Sequence, residues 1–193
     1  MPRFELYLDE ADKLIREEAF EEAATWLGRH LEEHEYSQES KMAVSWRLRD
    51  ISERLMERRE FSGAFNYYDS YLNLAKSLLS ADEYRNAIVF VIGKCRWIID
   101  IQTNSNSFDV ARKYFDKILK YGNQLNETRT YNGILSYIVE KYIEEMKKRI
   151  SDRTLFEKLK READKYIGMI TDNKIRDDLR NKRVVYKDKT RIY

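Results

Sequence analysis

Residues 61–72 read FSGAFNYYDSYL, and the same order of large and small side chains returns twice more, in FEEAATWLGRHL (20–31) and FDVARKYFDKIL (108–119). Each gives an aromatic residue, then Ala three positions on, then a large apolar residue four beyond that: Phe20, Ala23, Leu27; Phe61, Ala64, Tyr68; Phe108, Ala111, Phe115. This spacing puts all three on one face of an α-helix, where the small residue admits a close neighbour and the large ones fill the groove around it. A fourth segment starts at Phe156 with Leu159 and Ala163, but its small residue stands in the wrong place.

Working outward, amphipathic periodicity continues on both sides of these segments. Leu6, Leu14 and Ile15 mark a helix ahead of the first, and Trp46, Leu48, Ile51, Leu55 and Met56 one ahead of the second. Ser80-Ala-Asp-Glu83 is a capping box, Asn106-Ser107 reads as an N-cap pair, and Gly122-Asn123 reads as a helix stop. The run Ile88–Ile92 suits a buried strand or a helix, and the apolar positions Ile98, Ile99 and Ile101 favour the helix. With one Pro and six Gly in 193 residues, the usual turn punctuation is scarce. The expected class is all-α: about eight helices in antiparallel hairpins, over 1–172. The basic stretch 173–193 follows as a flexible arm or small hairpin.

The aromatic–Ala–large spacing resembles the second helix of the tetratricopeptide repeat, loosely over residues 3–170. The preceding helices match in part, through Tyr7, Ala11 and Leu14, then through Leu48, Ile51, Ser52 and Leu55. The third is poorer, with Ile98 in place but Gln102 at an apolar position. Ala23 to Ala64 is 41 residues and Ala64 to Ala111 is 47, against about 34 for the standard repeat. The family's closing Pro is absent. The resemblance therefore implies a short tetratricopeptide-like α-solenoid with lengthened helices. It also implies a protein-interaction adaptor or scaffold, binding a partner peptide or helix in a groove lined by first helices.

On that alignment Arg49 and Arg96 hold equivalent positions, Glu53 and Asp100 follow one turn later, and Trp46 lies at the groove edge. Arg49 and Arg96 would then grip a partner's acidic groups through bidentate pairs. The plainer alternative pairs Arg49 with Glu53 and Arg96 with Asp100 within their own helices.

Charge is unevenly spread. Residues 1–40 carry 12 acids and 4 bases, net −8, and the remainder carries 32 bases and 22 acids, net +10. Such a split favours an acidic partner or head-to-tail homo-oligomers. The C-terminal stretch concentrates Arg180, Lys182, Arg183, Lys187, Lys189 and Arg191 against Asp188, interleaved with Tyr186 and Tyr193. Basic and aromatic residues in alternation also suit nucleic acid, the second reading of function.

Enzyme readings are weaker. His30-Leu-Glu-Glu33-His34 spells the H-x-x-E-H pattern of inverted zinc peptidases, with two His one turn apart and a Glu as general base. Zinc needs a third protein ligand, and no Glu occurs between Glu83 and Glu127 to supply it downstream. A zinc hydrolase at His30, Glu33 and His34 is thus a remote reading, and neither a metal nor another cofactor is expected. Cys95 has no His near it in sequence and no phosphate-binding Gly-rich loop is present. One Cys, an acidic N-terminal stretch and no membrane-length apolar run together predict a soluble, cytoplasmic chain.

Overall fold

The computed structural model describes residues 4–33 and 37–189, excepting the side chains of 30, 32–33 and 183–189. Among these residues it is all-α. The helices are α1 (Phe4–Arg16), α2 (Phe20–Glu33), α3 (Gln38–Glu57), α4 (Phe61–Leu78), α5 (Ala81–Asn104), α6 (Phe108–Gln124), α7 (Thr128–Lys148), α8 (Arg153–Met169) and α9 (Asn173–Lys189). None is long and apolar enough to cross a membrane. The run Ile88–Ile92 is helical, inside α5.

Three of the turns share one geometry. Glu18, Arg59 and Asn106 each adopt a left-handed conformation, with φ of 63°, 64° and 58°. The next residue donates its backbone N–H five positions back: Ala19 to Leu14, Glu60 to Leu55 and Ser107 to Gln102, at 2.9, 2.9 and 2.7 Å. This is the Schellman closure of a helix C-terminus, which satisfies otherwise orphaned carbonyls. In each case the residue after that is the Phe that opens the next helix. The repeat seen in the sequence therefore includes its own turn.

The capping box forms as the sequence predicts. Ser80 donates its N–H and hydroxyl to the Glu83 carboxylate at 3.0 and 2.7 Å, and the Glu83 N–H reaches back to Ser80 Oγ at 3.4 Å. Two other local expectations need correction. Ser107 sits at the N-cap of α6 but makes no side-chain cap bond, because Asn106 beside it is spent on the left-handed turn. Gly122-Asn123 does not stop α6, which continues to Gln124. Gly122 is buried, and a Cβ there would run into the Cδ1 of Ile134 on α7. The glycine lets two helices approach; the left-handed residue that follows α6 is Asn126, with φ 51°.

Contacts divide the chain within α5 into two compact units, Met1–Ala87 and Ile88–Tyr193. In the first, α3 and α4 form a tight antiparallel pair, α1 pairs with α2, and both touch α3. Ala11, Ala23 and Ala64 have no exposure, so neighbouring helices meet at their methyl groups, while Ile51, Phe65 and Tyr68 fill the space between. Arg47 on α3 forks onto Asp12 of α1 at 2.8 and 2.6 Å, and the Trp26 indole donates to the Tyr7 carbonyl at 3.1 Å. In the second unit, α7 is central, packing against α6, α8 and α9. Its Ile134, Leu135, Ile138 and Val139 are fully buried.

The stretch expected to be an arm or hairpin is helical as α9, which packs on α7 and α8 and buries Leu179. Asn132 of α7 fixes the entry to it: its amide donates to Thr171 Oγ1 at 3.0 Å and its carbonyl accepts the Thr171 N–H at 3.2 Å. Low apolar content hid this helix in the sequence, since one buried leucine and a distant asparagine supply its anchorage.

Candidate interaction site

The residues singled out on the first helices fall in two places. In the first unit Trp46 is 48% exposed on α3. The Arg49 guanidinium, one turn on, stands 5.2 Å over its ring, and the Tyr71 ring of α4 lies 6.2 Å from it. Arg49 also hydrogen-bonds the Tyr71 phenol, whose pKa burial raises against the pull of that guanidinium. Cation–π contact and aromatic packing thus hold a large side chain half in water. Glu53 accepts a hydrogen bond from the buried Tyr68 hydroxyl, which turns its carboxylate toward α4.

In the second unit Asp100 accepts from the Tyr137 hydroxyl at 2.8 Å and pairs with Lys141 at 3.0 Å, both on α7. The Arg96 guanidinium stands over the Tyr137 ring, 5.0 Å from its centroid. It pairs with no carboxylate among the described residues, and its Nε is buried without a hydrogen-bond partner. The expected Arg96–Asp100 pairing within α5 is therefore replaced by a cluster built with α7. Sequence reasoning missed Tyr137 and Lys141, which stand about forty residues away and carry no motif.

Burial raises the Tyr137 pKa, and the Asp100 carboxylate raises it further. Because the folded value exceeds the unfolded one, this tyrosine's contribution to stability is complete below about pH 10 and is lost as pH climbs from there toward the folded value. Tyrosinate absorbance should show it. The difference between the wild-type titration and that of Tyr137→Phe should contain no ionisation near pH 10. A normal tyrosine step in that difference would mean the phenol is not held by Asp100.

The remaining predicted residues are more dispersed. Arg180 pairs with Asp177 at 3.6 Å, and Lys182 with Asp178 at 2.9 Å and Glu140 at 3.5 Å. Arg183, Lys187 and Lys189 belong to α9 with side chains outside the described residues, and Arg191 lies outside them altogether. His30 and Glu33 occupy the last turn of α2, their side chains likewise outside the description, as is His34. Among the described residues no three His, Cys, Asp or Glu side chains come together as a metal site.

Concave surface also lies between second helices, where no motif marks it. In the first unit α2 and α4 flank a groove made of two adjoining hollows of about 670 and 540 Å³, which share Glu21, Thr25 and Tyr67. In the second unit α6 and α8 flank a smaller hollow of about 260 Å³ lined by Arg112, Glu145, Arg149 and Glu162. Glu145 is 4% exposed and bonds Arg149 at 2.9 Å, with Lys148 3.6 Å away. Its run Glu-Glu-Met-Lys-Lys-Arg reads as a solvated face, and only the packing of α7 reveals the buried carboxylate. Compared with known proteins, the chain matches no family model, no curated protein and no solved structure.

Proposed function

We propose that the protein is a tetratricopeptide-like adaptor, which holds a segment of another protein against the first helices of its hairpins. The observation that carries this reading is Trp46, half exposed yet held by Arg49 and Tyr71. An exposed tryptophan already held by its neighbours has little freedom left to lose on binding, and Trp, Tyr and Arg are the residues that dominate binding energy at interfaces. Arg96 adds a second anchor. Its guanidinium is oriented by Tyr137 and lacks a carboxylate, so an acidic group of the partner would complete it. Trp46 and Arg49 serve the first unit and Arg96 the second. Cys95, the single cysteine of the sequence and buried, suits a reducing, cytoplasmic setting.

The test is a pull-down of tagged protein from its source lysate, with and without nuclease, repeated with Trp46→Ala and Arg49→Ala. A protein retained after nuclease should bind each variant about tenfold more weakly or worse, while helicity stays unchanged because both side chains are at the surface. Retention equal to wild type in both variants would sink the reading. Loss of every retained protein on nuclease treatment would instead give the function to nucleic acid.

A further inference from the structure

We infer that the groove between α2 and α4 receives the basic C-terminal segment, residues 183–193, of a second copy of this chain. This goes beyond the adaptor reading, since the groove lies among second helices and uses neither Trp46 nor Arg96.

The groove is built to take a chain. It follows α2 from Phe20 to Leu31, a length of roughly 17 Å at 1.5 Å per residue. Its floor is apolar: Val44 and Leu48 come up from α3, with Leu31 and Leu74 partly exposed on the two walls. Gly28 faces the open space, and a Cβ built on it meets nothing within 4 Å. A segment lying there would touch α2 almost at its backbone.

Charge selects the occupant. Glu18 is neutralised by Arg58, which leaves Glu21, Glu22 and Glu60 on the lining against Arg29. Tyr67, at the junction of the two hollows, has its phenol pKa pushed up by burial and by the Glu21 carboxylate, as befits a negative, partly water-excluded channel. Residues 183–193 read RVVYKDKTRIY, with four bases and one acid interleaved with Val184, Val185, Tyr186, Ile192 and Tyr193. That segment offers cations for the rim and apolar side chains for the floor. The net charges of −8 over residues 1–40 and +10 over the rest bring copies together in the required sense.

Sedimentation velocity on the full chain tests this. Species heavier than the monomer should accumulate up to about 100 µM protein in about 0.05 M salt, and fall away at about 0.5 M salt as screening shortens to a few ångströms. Gly28→Trp should stay monomeric, because the ring stands in the groove; the exchange removes a helix glycine and leaves the packing untouched. Two charge reversals in the full chain give the same information without bulk. Glu21→Lys with Glu22→Lys, and separately Lys187→Glu with Lys189→Glu and Arg191→Glu, should each weaken association about tenfold. Both sets combined in one chain should restore it. A full chain that remains monomeric throughout overturns the proposal. So does association that persists undiminished in the charge-reversed chains, whether or not Gly28→Trp folds.

Discussion

Exchanging Leu159 and Ala163 in one chain, as Leu159→Ala with Ala163→Leu, should destabilise the protein by about 4 kcal/mol, although it gives α8 the same aromatic–small–large order as α2, α4 and α6. Both positions are buried, Leu159 at 4% exposure and Ala163 at none. In α8 the fully buried alanine is Ala163, one turn later than in the other second helices, and a buried leucine, Leu159, takes the position that an alanine holds elsewhere. Truncating Leu159 opens a cavity, typically 2–5 kcal/mol for such a change. Enlarging Ala163 forces atoms into a contact that is already complete, for about 1–3 kcal/mol more. The sites are one turn apart, so the two effects will not add strictly, but both have the same sign. Urea denaturation of the double variant and its two parents measures this. A double variant as stable as wild type would show that α8 follows the repeat pattern after all and that its local shape is unimportant.

Tyr142→Ala should cost about 4 kcal/mol, a fall in Tm on the order of 10 °C for a chain of this size. The ring is 1% exposed and sits among Phe108, Phe115 and Tyr166 at centroid distances of 5.1, 5.5 and 5.7 Å. Three helices therefore lose their common contact when it is removed, and the Arg112 guanidinium loses the phenol it bonds. Tyr142→Phe keeps the rings and deletes only the hydroxyl, so it should cost about 1 kcal/mol. Equal melting temperatures for the two variants would mean that the hydroxyl, and not the aromatic cluster, holds α6, α7 and α8 together.

How much of this was legible in the sequence depended on whether the cause was local. Phe20, Phe61 and Phe108 announce three second helices because a helix start and a packing face are written within eight residues of one another. Ser80 and Glu83 announce α5 for the same reason. Two of the turns were silent: Glu18 and Arg59 hold left-handed conformations that glycine adopts more easily, and a glutamate or arginine in sequence does not mark a turn, whereas Asn106 stands at a boundary that the sequence did mark. The departure of the fourth segment was legible too, since Leu159 and Ala163 trade sizes within it. At the candidate site, the equivalence of Arg49 and Arg96 followed from counting residues, whereas their partners did not. Tyr71 and Tyr137 reach them from other helices, and the groove along α2 exists only because α3 lies beneath it.

The helices that pair most closely, α1 with α2, α3 with α4 and α7 with α8, are consecutive in the chain and joined by a few residues. Closing such short connections is entropically cheap, and folds dominated by neighbouring contacts form quickly. Residues 14–74, which supply the walls and floor of the acidic groove, are all made before residue 183 is translated. On the inference above, residues 183–193 are released only after the groove has folded, and they meet finished sites on copies made earlier. Assembly of this protein would then follow its synthesis, with the order of elements along the chain setting the order of events.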